Sequence, residues 1–309
     1  MHSRPIRGVV PPVCTPLTPD LEVDHRSLER LVAHLLDGGV DGLFVLGSTS
    51  ETAYLPDRHR AEVLRTTTAA VAGQVPVLAG AIDMTTLRVL DHVRAAEEAG
   101  CDGIVATAPF YTRTHPAEVE HHFRLLAERT ELPLYAYDLP VSVHTKLDAD
   151  LLVRLAGDGV LAGVKDSSGD DAGMRRLLLA LRHRGITSCS VLTGSELTVD
   201  SALRTGAHGV VPGLANVDPD GYARLFRHCA DGRWDAAGTE QERLFDLFGL
   251  VEAGDPARIG ASSAALGAFK AALHLRGVID CPVTAPPQLP LTADEVLLVK
   301  ERLISAGLL

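Results

Sequence analysis

A lysine that closes an apolar run is the residue around which chemistry can be built in this chain. The stretch Leu161-Ala-Gly-Val-Lys-Asp-Ser-Ser-Gly-Asp170 carries Lys165 at the end of a strand-like segment with no carboxylate before it. A free lysine amine titrates near about 10.4, but desolvation in a barrel interior can lower that by several units and leave a neutral amine able to attack a ketone and form a Schiff base. The composition sharpens the point. Of 29 Lys+Arg residues only four are lysine, at 146, 165, 270 and 300, so arginine serves wherever a fixed positive charge is enough. Schiff-base chemistry cannot use arginine, whose guanidinium stays protonated. The competing reading is a lysine that snorkels from a strand end into solvent, and the rest of the chain decides between them.

A Schiff-base lysine needs a proton shuttle beside the carbinolamine, a cradle for the carboxylate of a 2-oxo acid, and a dry interior. Candidates for each stand at the ends of other apolar runs. Leu46-Gly-Ser-Thr-Ser-Glu51 is a glycine turn followed by hydroxyls and amides, a nest suited to a small carboxylate, although turns of this composition are also ordinary loops. Alternation puts Tyr135 and Tyr137 on one face of a run that ends Tyr137-Asp-Leu-Pro140, with Tyr137 last. A half-buried structural tyrosine is the bland alternative there. Another run ends Ala108-Pro-Phe-Tyr111, and two more end Thr193-Gly-Ser-Glu196 and Val211-Pro-Gly-Leu-Ala-Asn216. Tyr137, Ser48 and Tyr111 are thus candidates for moving protons, and the amides of Ser48 and Thr49 for holding a carboxylate.

The elements that must position these residues alternate in a regular way. Strands are predicted at Gly8–Cys14, Asp41–Gly47, Val75–Gly80, Asp102–Pro109, Leu132–Asp138, Leu161–Ser167, Ser190–Gly194 and Gly209–Gly213. Amphipathic helices are predicted between and after them, from Ser27–Asp37 to Asp220–Ala230, and most end on glycine, where a left-handed cap belongs. Eight strand-helix units fit an α/β protein built as a closed (β/α)8 TIM barrel better than an open doubly wound sheet, and no Gly-x-Gly-x-x-Gly follows the first strand. Residues 1–232 therefore read as the catalytic barrel. From 233 to 309 the strand signal stops and helices are predicted at Trp234–Ala253, Ala257–Arg276 and Ala293–Ala306, a C-terminal helical appendage. In such a barrel the chemistry sits where strands end and βα loops begin, which is where the polar residues above lie.

Composition excludes several classes. A formal net charge of -11 argues against nucleic acid or an anionic membrane as partner. No apolar run nears the roughly 20 residues that cross a bilayer, and the start Met-His-Ser-Arg-Pro-Ile-Arg-Gly lacks a leader-like apolar core, so the cytoplasm is expected. Cys14, Cys101, Cys189, Cys229 and Cys281 are odd in number and far apart, which predicts free thiols rather than disulfides or a zinc site. The 13 histidines show no metal-ligand spacing, His121-His122 included, and no metal is expected.

Together these motifs resemble the dihydrodipicolinate synthase / N-acetylneuraminate lyase family of pyruvate-dependent class I aldolases and lyases. The resemblance rests on Gly-(Ser/Thr)-Thr-x-Glu at 47–51, Tyr-x-x-Pro at 137–140 and Gly-(Val/Ile)-Lys-(Asp/Glu) at 163–166, and it runs from Val10–Pro16 through Gly206–Gly213 into the helical C-terminus. It implies that Lys165 condenses with the ketone of pyruvate or another 2-oxo acid, with no cofactor beyond that covalent bond, and that Tyr137 shuttles protons. It implies further that Ser48 belongs to the proton relay, that Tyr111 joins the relay across a subunit interface of a homo-oligomer built as a dimer of dimers, that the Ser48 and Thr49 amides hold the carboxylate, and that the Val211 carbonyl faces the site. One departure bears on substrate. Dihydrodipicolinate synthases place an arginine shortly after Tyr-x-x-Pro to grip the carboxylate of aspartate semialdehyde, whereas here Tyr137-Asp-Leu-Pro-Val-Ser-Val-His144 has Ser142 at that position. Glu196 stands near where lyases of polyhydroxylated substrates place a hydroxyl-binding acid, and Lys-Asp-Ser-Ser-Gly-Asp looks like sugar-acid members. The expected reaction is reversible cleavage of a 2-oxo-3-deoxy sugar acid to pyruvate and an aldehyde. Dihydrodipicolinate synthesis, a dehydratase working through the same Schiff base, and a silent barrel that binds a small acid are the alternatives.

Overall fold

A computed structural model describes residues 5–309. Met1–Arg4, on which part of the leader reading falls, lie outside the described residues. Eight parallel strands form one sheet: β1 (Gly8–Val9), β2 (Leu43–Val45), β3 (Val77–Gly80), β4 (Gly103–Thr107), β5 (Leu134–Asp138), β6 (Gly163–Asp166), β7 (Ser190–Thr193) and β8 (Gly209–Val210). From β2 to β8 each strand pairs with the next in chain order, and β1 pairs with β8. The ring closes just past β1, where Val13 N donates to Phe44 O (2.8 Å) and Phe44 N to Pro11 O (3.0 Å).

The helices α1 (His25–Asp37), α2 (Asp57–Val71), α3 (Thr86–Glu98), α4 (Pro116–Ala127), α5 (Pro140–Val143), α6 (Ala149–Gly157), α7 (Asp171–His183), α8 (Val199–Thr205) and α9 (Pro219–Ala230) surround the strands. Asp24, Asp148, Asp170 and Asp218 cap the starts of α1, α6, α7 and α9 by accepting from first-turn amides, which is the reason those helices begin where they do. Three further helices, α10 (Trp234–Phe248), α11 (Ala261–Leu275) and α12 (Ala293–Ser305), complete the C-terminal segment.

Several elements differ from their predicted bounds, each for a local reason. The first and last strands are two residues long, because Pro11, Pro12 and Pro212 have no N–H to give a ladder, although Val10 N still donates to Val210 O (2.9 Å). The helix predicted from Trp234 breaks at Gly249 into a 3-10 turn, and α11 starts at Ala261 after a Gly260 cap rather than at Ala257. The short α5, with Pro140 in its first turn, fills a segment with no predicted element.

The period of two along each strand divides the molecule. Residues pointing outward join one large core between sheet and helices. Residues pointing inward make a second cluster that includes Val10, Phe44, Leu78, Val105, Tyr135, Tyr137, Leu192 and Val211. The Tyr135 ring fills the barrel where Gly163 has no side chain: a Cβ there would stand 2.5 Å from the ring. Lys165, two residues further along the same inward face, stands above that plug.

Candidate active site

Strand register brings the lysine and the phenol together. Tyr137 of β5 is the parallel partner of Lys165 in β6, and Thr107 of β4 is the partner of Tyr137, so all three occupy one level near the carboxyl ends of the strands. Lys165 is only 5% exposed, which removes the snorkelling alternative. Its Nζ lies 3.6 Å from the centroid of the Tyr137 ring and 5.5 Å from that of Phe44, and it donates to Ser167 Oγ (3.2 Å). The Tyr137 ring is itself held edge-on to Phe44, with centroids 6.1 Å apart at 84°. Apolar walls and two aromatic faces thus surround one amine.

The Tyr137 hydroxyl lies 3.5 Å from Ser48 Oγ, so a line of exchangeable protons runs from Lys165 past Tyr137 to the mouth, where Ser48 is exposed. Burial pushes the phenol up, but the Lys165 charge and hydrogen bonds from Lys165, Ser48 and Ser167 outweigh it, and Tyr137 titrates below the ordinary tyrosine value. A phenol so placed can take the proton that an ammonium must lose before it attacks carbon.

The turn after β2 spends some of its amides internally: Ser50 N and Thr52 N donate to Gly47 O, and Glu51 N to Ser48 O. The amides of Ser48 and Thr49 have no acceptor among the described residues, and two adjacent free N–H groups suit a carboxylate. Gly80 lets this turn approach, since a Cβ there would meet Leu46 O at 2.0 Å. On the far side, Val211 is buried and its amide donates to Thr193 O (2.8 Å), while its carbonyl accepts no hydrogen bond among the described residues. Glu196 is half-buried in the loop after β7, and its Oε1 accepts from Leu214 N (3.1 Å). Burial raises its carboxyl to about 7, against smaller pulls from the Leu214 and Gly213 amides and from Lys165.

Lys165, Tyr137 and Ser48 therefore meet, Thr49 follows Ser48 in the same turn, Val211 belongs to the buried inward cluster that holds Tyr137, and Glu196 is near enough to feel the lysine charge. Tyr111 does not join them within one chain. It is 88% exposed with φ 75°, a left-handed backbone that non-glycine residues rarely adopt. Four contributors went unnoticed in the sequence. Ser167 shares the inward face of β6 by simple alternation with Lys165, a signal that was available. Phe44, and Asn216, whose side chain joins Cys14 N, Pro12 O and Gly213 O, are identified only by tertiary contact. So is the buried pairing of Glu51 with Lys270.

No group of three or more potential metal-ligating side chains clusters among the described residues, and all five cysteines are free. No described helix is long and apolar enough to cross a membrane.

A parallel (β/α)8 barrel with a buried lysine against a phenol is the plan of a class I lyase, in which an amine of the protein serves as the electron sink's anchor. The sequence matches the model of the dihydrodipicolinate synthetase family over residues 5–306, and the chain belongs to that family. It is 33% identical over 307 residues to a 4-hydroxy-tetrahydrodipicolinate synthase of Kineococcus radiotolerans, covering 99% of this chain and 94% of that one. It is 31% identical over 281 residues to an uncharacterised DapA-like lyase of Halobacterium salinarum, covering 91% and 88%. The crystal structure of YagE, a prophage protein of E. coli K12 from the dihydrodipicolinic acid synthase family in complex with pyruvate, superposes with a TM-score of 0.90 at 26% identity, over 98% of this chain and 99% of that one. The chain is accordingly an enzyme of this family, a Schiff-base carbon–carbon lyase.

Proposed function

We propose that the protein reversibly cleaves a 2-oxo-3-deoxy sugar acid to pyruvate and an aldehyde. The observation that carries this choice is the absence of a free cation on the segment after Tyr137. Ser142 sits exposed on α5, and the next cation along the chain, Lys146, is paired with Asp138 and also donates to Leu147 O (3.3 Å). An anionic aldehyde would find no bidentate grip there, whereas a neutral polyhydroxylated one needs none. The carboxyl of Glu196, held near neutrality, suits hydroxyl groups as donor or acceptor.

In this reading Lys165 attacks the 2-oxo carbon, and the carbinolamine loses water with Tyr137 and Ser48 passing protons. The iminium accepts the electron pair of the C3–C4 bond as it breaks, while the C4 hydroxyl gives its proton to Tyr137. The aldehyde leaves, the enamine takes a proton at C3, and water releases pyruvate from Lys165. The Ser48 and Thr49 amides and the Val211 carbonyl hold the substrate. Tyr111, strained and exposed, reaches the site of a second copy in a homo-oligomer, a dimer of dimers. Residues 1–232 form the catalytic barrel and 233–309 the helical domain, and the cytoplasm is the compartment.

A second reading, 4-hydroxy-tetrahydrodipicolinate synthesis, is favoured by the likeness to relatives such as the Kineococcus radiotolerans synthase. Two measurements test the proposal. Incubation with pyruvate and borohydride should add one reduced adduct to the wild type and none to Lys165→Ala, and a full adduct on the variant would remove Lys165 from its role. An aldehyde panel with pyruvate should favour sugar aldehydes, and faster turnover of aspartate semialdehyde than of every sugar aldehyde would hand the function to the second reading.

A further inference from the structure

The turn that presents the Ser48 and Thr49 amides is anchored by an ion pair that no step of the proposed reaction uses. Glu51, its last residue, is fully buried, and its carboxylate pairs with Nζ of Lys270 in α11, which is equally buried. The Glu51 Oε1 also accepts from Ala285 N (2.6 Å) and Gln288 Nε2 (2.8 Å), and Lys270 donates to Val283 O (2.7 Å). Every one of these partners belongs to the C-terminal segment, so one side chain of the cradle turn is gripped by α11 and by the proline-rich connector that follows it.

Stability alone does not explain such a pair. Taking two charges out of water costs much of what their attraction returns, and apolar side chains of the same volume hold segments together at least as well. What a pair with three hydrogen bonds supplies is direction. Glu51 has φ 61° and Leu46 has φ 58°, so left-handed non-glycine residues bracket the turn on both sides. Such backbone persists only where its surroundings over-determine it. Ser50 is fixed in the same manner, its Oγ donating to Val13 O (2.5 Å) and its carbonyl accepting from Thr15 Oγ1 (2.9 Å). Between these clamps the amides of Ser48 and Thr49 are left without partners, aimed by a backbone that cannot relax.

We propose that Glu51 and Lys270 are positioning residues for the substrate carboxylate: the pair locks the left-handed end of the turn to the C-terminal helices and so aims the Ser48 and Thr49 amides. The C-terminal segment then sets affinity for the 2-oxo acid from behind the barrel wall. This inference rests on the reading of Lys165 as a Schiff-base lysine that takes pyruvate.

The test is borohydride trapping of the full-length protein by intact mass, titrated with pyruvate and, separately, with hydroxyacetone, a ketone with no carboxylate. Glu51→Gln keeps the shape and an acceptor for Ala285 and Gln288 but leaves the Lys270 charge without its counter-charge. It should raise the half-saturating pyruvate concentration at least tenfold, leave the trapping rate at saturation within threefold, and leave the hydroxyacetone curve within twofold. A purely structural role would move both ketones together or neither, and either result in a folded variant overturns the proposal. Should Glu51→Gln fail to fold, Glu51→Gln/Lys270→Met, which buries no lone charge, carries the same expectations. Wild-type protein that traps neither ketone would defeat the Schiff-base reading itself, and this inference with it.

Discussion

Removing one oxygen from Tyr137 separates chemistry from packing. Tyr137→Phe keeps the ring 3.6 Å from the lysine amine and edge-on to Phe44, so the cation–π contact and the inward cluster stay filled. What is lost is the hydroxyl, with its 3.5 Å contact to Ser48 and the hydrogen bonds it takes from Lys165 and Ser167, together about 1–3 kcal/mol because one partner is an ammonium. Unfolding temperature should therefore fall by about 2–6 °C in a chain of this size, leaving the variant folded at assay temperature. Proton transfer by a positioned group contributes about 10²- to 10⁴-fold, so turnover should fall by that factor, corresponding to about 3–5 kcal/mol in the barrier. The pH profile supplies an independent check. The phenol titrates below the ordinary tyrosine value, so the wild type should show a limb assigned to it at lower pH than a free tyrosine would give, and the variant should lose that limb. Lyase assays across pH, with thermal unfolding in parallel, measure all of this. Turnover within threefold of wild type in folded Tyr137→Phe would refute the assignment of the phenol as proton carrier.

The other predictions concern the rim of the barrel. Glu196 is raised to about 7 in the folded chain, so its contribution to stability is fully present below the unfolded carboxyl value and fades as pH rises through about 7. That contribution is at most about 3 kcal/mol, and thermal unfolding at pH 5.5 and 8 should show a difference that Glu196→Gln flattens. An unchanged difference in the variant would assign the effect elsewhere. Ser142→Arg should supply the missing cation on α5 and improve kcat/KM for an aldehyde carrying a carboxylate by about tenfold, with the gain shrinking in high salt. Equal kinetics for charged and neutral aldehydes would place the aldehyde pocket away from α5. Gly80→Ala pushes a Cβ against Leu46 O, a backbone atom, and should cost about 1–3 kcal/mol of stability while weakening pyruvate saturation. Full pyruvate affinity in that variant would show that the cradle turn does not depend on the close approach.

Much of the candidate site's layout was legible in the sequence because it is local. Lys165 and Tyr137 each finish a short apolar run, and alternation alone places each on the face of its strand that turned out to point inward. Ser48 and Thr49 follow a glycine at another strand end, and the same logic would have added Ser167, two residues beyond the lysine. The eight-fold alternation of strand and helix was legible for the same reason, while several element ends differ, some where proline removes a ladder donor or glycine breaks a helix, and the short α5 was not foreseen.

Sequence by itself determined which residue types stand at the strand ends, because period and punctuation are set by neighbours within a few positions. Only the tertiary structure decided who meets whom. The register that seats Tyr137 beside Lys165 is a property of two strands pairing, and closure through Phe44 and Pro11 is a property of the whole ring. Glu51 and Ala285 lie 234 positions apart, and no pattern along the chain announces that a carboxylate in the first quarter will be held by the last. Such contacts arise when distant segments compete for the same buried volume, and a charge excluded from water there must find its partner wherever the fold brings one.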